Sequence, residues 1–123
     1  MWLQAGDRVV ASQLVVIETF RAIDGARFAG TLDDRLSAAK RKELTELLAM
    51  LDLWRIDQPV VDRASGSFAV PLRSLDAIHV ATAELLVAAA EGEPLEFWTH
   101  DERQAIAAQS QGLNVFGRAL GQS

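Results

Sequence analysis

The 123-residue sequence contains no cysteine. Disulfide scaffolds, cysteine-ligated zinc, iron–sulfur centres and thiol nucleophiles are therefore excluded, and the chain suits a reducing, cytoplasmic compartment. Proline is scarce, with only three residues, which argues against a collagen-like or disordered chain. No apolar run approaches the roughly 18 residues of a membrane-spanning helix, and Met1-Trp2-Leu3-Gln4-Ala5-Gly6-Asp7-Arg8 lacks the charged-then-apolar order of a signal peptide. Basic charge is in deficit: 12 lysines and arginines face 17 acids, a net charge of −5. A general polyanion binder is thereby disfavoured, and any nucleic-acid contact would use a local basic patch. What is plentiful is apolar side chain, 50% of the residues, enough for one core in a chain of single-domain length.

Along the chain, strand-like and helix-like segments alternate. Arg8-Val9-Val10-Ala11 is a short β-branched run, and Ser12 after it can cap a helix through Leu14, Val15, Ile17 and Phe20. From about Asp33 a long helix is expected, with Leu44, Leu47, Leu48, Leu51 and Trp54 on one stripe opposite Lys40, Arg41, Lys42 and Glu46. Trp54-Arg55-Ile56 reads as a short strand, and Asp57 and Pro59 supply a cap and an early-turn proline for a helix near Val60 to Ala64. Ser74 is positioned to cap a second strong helix, with Leu75, Ile78, Thr82, Leu85, Leu86 and Ala89 on one face and Gly92 and Pro94 past its end. Leu95 to Trp98 reads as a strand. Thr99 and Glu102 form a capping-box pattern for a helix to about Gln109, and Leu113 to Phe116 returns as a strand. Alternation through short connections implies an α/β fold, a parallel sheet with helices on its faces. At the start, Trp2 to Gly6 has the look of the last turn of a helix with its glycine cap.

In a parallel sheet, ligands gather beyond the carboxyl ends of the strands, where helix N-termini also point. Three acids from distant segments map to that edge: Glu18 in the second turn after the Arg8 strand, Asp76 in the first turn after Ser74, and Asp101 just after Thr99. Converging carboxylates repel unless a cation neutralises them, and an all-oxygen site suits Mg²⁺ or Mn²⁺, which can activate water and clamp a phosphodiester. Taken singly, Asp76 and Asp101 are also explained by the helix dipole. Glu18 is harder to explain so, because it ends the apolar run Leu14-Val15-Val16-Ile17. Arg73 is well placed to contact phosphate, and Lys40-Arg41-Lys42 reads mainly as a solvated face. The two histidines, His79 and His100, have no zinc-site spacing; His79 reads as a helix-flank residue and His100 as a neighbour of Asp101. Ser65-Gly66-Ser67 is no nucleophile elbow.

Three segments together resemble the PIN-domain family, most closely its VapC-type toxins from bacterial toxin–antitoxin pairs. Val9-Val10-Ala11-Ser12-Gln13-Leu14-Val15-Val16-Ile17-Glu18 is similar to the family's second strand and glutamate-bearing helix. Leu72-Arg73-Ser74-Leu75-Asp76-Ala77-Ile78-His79-Val80-Ala81-Thr82-Ala83 resembles its Leu-Asp-Ala helix start, and Phe97-Trp98-Thr99-His100-Asp101 the strand end that delivers its last acid. The family's opening strand, which ends in an Asp-Thr/Ser motif, has no counterpart here; Asp7 and Asp24 are wrongly placed to substitute. The resemblance implies a three-layer PIN-like fold over residues 1–123, missing its first central strand. It also implies a Mg²⁺- or Mn²⁺-dependent endoribonuclease with Glu18, Asp76 and Asp101 as catalytic metal ligands and Arg73 and Thr99 as substrate contacts. A homo-oligomer and a cognate antitoxin are the expected partners. The other expectation is a noncatalytic PIN-like remnant that dimerises or binds antitoxin. A missing central strand further predicts stabilisation by association, or else direct pairing of the flanking strands.

Overall fold

The computed structural model describes residues 1–6, 8–90, 95–99 and 101–117. In chain order its elements are β1 (Trp2–Ala5), β2 (Arg8–Ser12), α1 (Leu14–Phe28), α2 (Asp34–Leu48), β3 (Asp52–Trp54), α3 (Gln58–Ala64), α4 (Ser74–Ala89), β4 (Glu96–Trp98), α5 (Glu102–Ser110) and β5 (Asn114–Phe116). The strands form a five-stranded sheet in the order β3-β2-β1-β4-β5. The pairs β2–β3 and β4–β5 are parallel, whereas β1 is antiparallel to both of its neighbours. The sheet is thus mixed, which corrects the all-parallel expectation.

The correction has a simple cause. Trp2 to Ala5 is not a helix turn but the central strand, joined to β2 by a tight hairpin whose closing pair is Ala5 and Arg8. Gly6 enters that turn at φ 58°, the left-handed backbone that a two-residue hairpin requires and glycine adopts without penalty. The position expected to be vacant is filled by this strand running in reverse. Neither direct pairing of β2 with β4 nor a donated strand is needed to satisfy their backbone groups. Leu3 supplies the apolar side chain at the centre: it is 1% exposed and shares a core with Val80, Ala83, Phe97, Ala107, Ala108 and Leu113. On the opposite face, the alternation of side chains along each strand stacks Trp2 on Trp98 and Trp98 on Phe116, with ring centroids 5.7 and 5.4 Å apart.

Aspartates begin three of the helices. The side chains of Asp33, Asp57 and Asp101 accept the backbone N–H groups of Leu36, Val60 and Gln104, satisfying donors that a first helical turn leaves open. Two expected caps differ. Arg73, without a side-chain bond, holds the cap position of α4, and Ser74 is already helical. Asp101 rather than Thr99 caps α5. Ser12 does bond the start of α1, its Oγ accepting from Leu14 N at 3.2 Å, although Gln13 is the cap residue. Helix α2 ends at Leu48, so Leu51 and Trp54 of the expected stripe lie beyond it, and Leu47 is 51% exposed. Gly92 and Pro94, expected to end α4, lie outside the described residues, as do Asp7 and His100.

Helix α4 packs against α1, α3, α5 and β2. Being enclosed on several sides, it buries Ala77, His79, Val80, Ala81, Thr82 and Ala83, whereas Leu75 of the expected apolar face is exposed. One tight contact then ties the end of β5 to the end of β4. Thr99 N donates to Phe116 O at 3.0 Å, and Gly117 follows at φ 131° with its Cα against the Thr99 backbone. A Cβ at residue 117 would lie 1.9 Å from Thr99 O, and backbone on both sides leaves nothing that can yield. We therefore expect Gly117→Ala to destabilise the protein by about 1–3 kcal/mol, read as a lower urea midpoint at unchanged slope.

Candidate active site

The four parallel strands present their carboxyl ends on one side, and the starts of α1, α4 and α5 follow from three separate connections there. This topology is why residues far apart in sequence meet. Glu18, Arg73, Ser74, Leu75, Asp76 and Asp101 line one cavity of about 400 Å³. Glu18 and Asp76 are half-buried, while Arg73 and Asp101 are exposed at its mouth.

Each acid has a protein partner. Glu18 Oε1 is hydrogen-bonded to Nε2 of His79, which is 1% exposed on α4. Burial pushes His79 below the ordinary histidine value, against the opposing pull of the Glu18 carboxylate. A neutral imidazole follows, donating Nε2–H to Glu18; its buried Nδ1 has no partner among the described residues. Asp76 Oδ1 accepts from Gln104 Nε2 at 2.7 Å, and Asp101 Oδ1 accepts from Gln104 N at 2.9 Å. The remaining carboxylate oxygens, Glu18 Oε2, Asp76 Oδ2 and Asp101 Oδ2, accept no hydrogen bond among the described residues.

Three carboxylates on one cavity are the donor chemistry of a hard divalent cation, and in kind the residues fit one. Their poses are not those of a closed cage: among the described residues, no three His, Asp or Glu side chains are grouped so that they could hold an ion. Glu18 is turned to His79 and Asp76 to Gln104, so the acids share a cavity without forming a cluster.

Thr99 departs from the role expected of it. It is 4% exposed, donates its hydroxyl to Gln104 Oε1 at 2.8 Å and accepts Asp101 N at 3.0 Å, so its hydroxyl is engaged within the protein and it is not among the residues lining the cavity. His79 is likewise no flank residue but the partner of Glu18. Gln104, 6% exposed, went unnoticed in the sequence. The basic run on α2 points elsewhere: Lys40 pairs with Glu43, and Arg41 lies 4.7 Å over the Phe20 ring and 3.6 Å from Asp24.

The PIN-domain family model matches residues 1–109, most of the chain. The chain belongs to the PIN-domain family. Among curated proteins it is 40% identical over 107 residues to "Ribonuclease VapC46" of Mycobacterium tuberculosis, a match that covers 86% of this chain and 71% of that protein. No solved structure matches the chain.

The His79 environment has a consequence for stability. With its pKa lowered on folding, the unfolded chain takes up the proton first as pH falls, so stability is lost as pH drops through the ordinary histidine range near 6.5. Urea midpoints measured in EDTA between neutral and mildly acidic pH are expected to fall in the parent protein. In His79→Gln they should fall less steeply.

Proposed function

We infer that the chain is a VapC-type endoribonuclease, the toxin of a toxin–antitoxin pair, which hydrolyses RNA phosphodiester bonds. One observation carries the reading: in a PIN-domain chain 40% identical to a named ribonuclease, three acids from three elements and an arginine line a single cavity. Arg73 is the phosphate contact. It stands at the cap position of α4 with no side-chain bond to the helix, so its guanidinium is available to a phosphate at the cavity mouth. Glu18, Asp76 and Asp101 are the residues that would hold a divalent cation, Mg²⁺ or Mn²⁺, through the oxygens that carry no protein hydrogen bond. When bound, such a cation supplies charge neutralisation and water activation at the phosphodiester. The chain's own residues orient the acids: His79 fixes one oxygen of Glu18, and Gln104 fixes one oxygen each of Asp76 and Asp101. Leu75, exposed at the cavity, shields that side from water once RNA lies across it.

A cognate antitoxin and a second copy of the chain are the proposed partners, in a cytoplasmic setting; no helix among the described residues is long and apolar enough to cross a membrane. A second reading, a noncatalytic PIN-like module that dimerises or binds antitoxin, is favoured by the ungrouped poses of the three acids.

Asp76→Asn separates the two readings. The asparagine Oδ1 still accepts from Gln104 while a negative charge is removed, so the melting temperature is expected to stay near or above that of the parent protein. Cleavage of RNA in the presence of Mg²⁺ or Mn²⁺ should fall by about 10²-fold or more and leave 5′-phosphate ends in the parent reaction. Full activity of purified Asp76→Asn, or 2′,3′-cyclic phosphate products, overturns the catalytic assignment. Antitoxin binding by a parent protein that cleaves no RNA at any metal concentration supports the binding module instead.

A further inference from the structure

We propose that Gln104 is a positioning residue that sets Asp76 and Asp101 relative to each other through a hydrogen-bond relay with only one possible direction. This rests on the reading of those two acids as active-site residues. The relay runs from Asp101 N–H to Thr99 Oγ1 at 3.0 Å, from the Thr99 hydroxyl to Gln104 Oε1 at 2.8 Å, and from Gln104 Nε2 to Asp76 Oδ1 at 2.7 Å. It closes on itself where Gln104 N donates to Asp101 Oδ1 at 2.9 Å.

Both ends of this relay are fixed by chemistry. A backbone N–H can only donate, and an ionised aspartate can only accept. Thr99 Oγ1, having accepted the Asp101 N–H, has its own proton to give to Gln104, so Gln104 must turn its oxygen to Thr99 and its NH₂ to Asp76. The flipped amide would set its oxygen against the Asp76 carboxylate and leave the Thr99 hydroxyl proton without its acceptor. The near-isosteres of glutamine fail these demands at residue 104: glutamate opposes Asp76 with a second acceptor, asparagine is one methylene shorter, and leucine keeps the volume but neither polar group. Gln104 and Thr99 are 6% and 4% exposed, so water cannot readily replace a missing member.

The relay also sits where movement is most constrained. Ala105, Ala107 and Ala108 of α5 are fully buried, α5 packs on α4, and Thr99 is pinned from behind by Gly117. Two helices and a strand end are therefore locked in register, and the relay transfers that register to two carboxylates that would otherwise repel. Thr99, buried with its hydroxyl bonded to Gln104, acts on the site through Gln104.

The test compares Gln104→Leu, Thr99→Val and Thr99→Ser with the parent protein and Asp76→Asn, by steady-state RNA cleavage and by carbon-detected NMR of the aspartate carboxyl groups in metal-free protein. Gln104→Leu and Thr99→Val should lower kcat by about tenfold to a hundredfold with KM changed by less than about threefold, the pattern of misplaced rather than missing groups. Thr99→Ser, which keeps the hydroxyl, should restore kcat to within about threefold. In the spectra, Gln104→Leu and Thr99→Val should each shift the carboxyl signals of both Asp76 and Asp101, whereas Asp33 and Asp57 stay unmoved. If Asp76→Asn is inactive while Gln104→Leu and Thr99→Val keep the parent kcat per folded molecule, the proposal fails and the reading of the acids stands. If Asp76→Asn is fully active, the acid assignment fails. If the parent protein cleaves nothing, the spectra decide alone: unchanged Asp76 and Asp101 carboxyl signals in Gln104→Leu overturn the relay.

Discussion

Three carboxylates facing one cavity repel each other, and their neighbourhood is built to tolerate that repulsion with neutral donors. His79 offers an uncharged N–H to Glu18, the Gln104 side chain offers an amide to Asp76, and the first turn of α5 offers a backbone N–H to Asp101. None of the three brings a full positive charge, and the cationic group in this neighbourhood whose charge interacts with the Glu18 carboxylate is the Met1 amino group. Arg73 is the basic side chain in the lining of the cavity itself.

The sheet makes this crowding possible. Four strands point their carboxyl ends the same way, and β2, β3 and β4 are each followed by a helix. The reversed β1 runs against them without disturbing that edge, because antiparallel pairing hydrogen-bonds β2 and β4 as fully as a parallel strand would. The central strand contributes its side chains to the core through Leu3, while the acids come from the elements around it.

Much of this was legible in the sequence. Asp33 and Asp57 announce helix starts because capping is local, decided within three residues, and the strand-helix alternation after Thr99 is local in the same sense. The direction of β1 was not legible: four residues of mixed polarity fit a helix end or a strand, and only the vacancy between β2 and β4 chooses. His79 and Gln104 escaped for a different reason. Their partners Glu18 and Asp76 lie 61 and 28 residues away, so no spacing rule connects them, and on α4 burial on several sides erases the amphipathic stripe that would have marked His79 as inward-facing. The Thr99–Glu102 pattern misled because Asp101 is the stronger local acceptor, leaving Thr99 to the relay.

The aromatic column on the far face of the sheet has an optical meaning. Trp2 and Trp98 lie nearly parallel, 3° apart in plane, one on β1 and the other on β4, while Trp54 stands apart on β3. Two indoles stacked in this way couple their excited states, so the near-ultraviolet dichroism of the protein carries a signature of β1 lying in its groove. The chain thus contains its own chromophore pair at the seam between its reversed strand and the strand that leads into Asp101. Any event that loosens the seam, whether a partner binding or a change of register, becomes visible without a label.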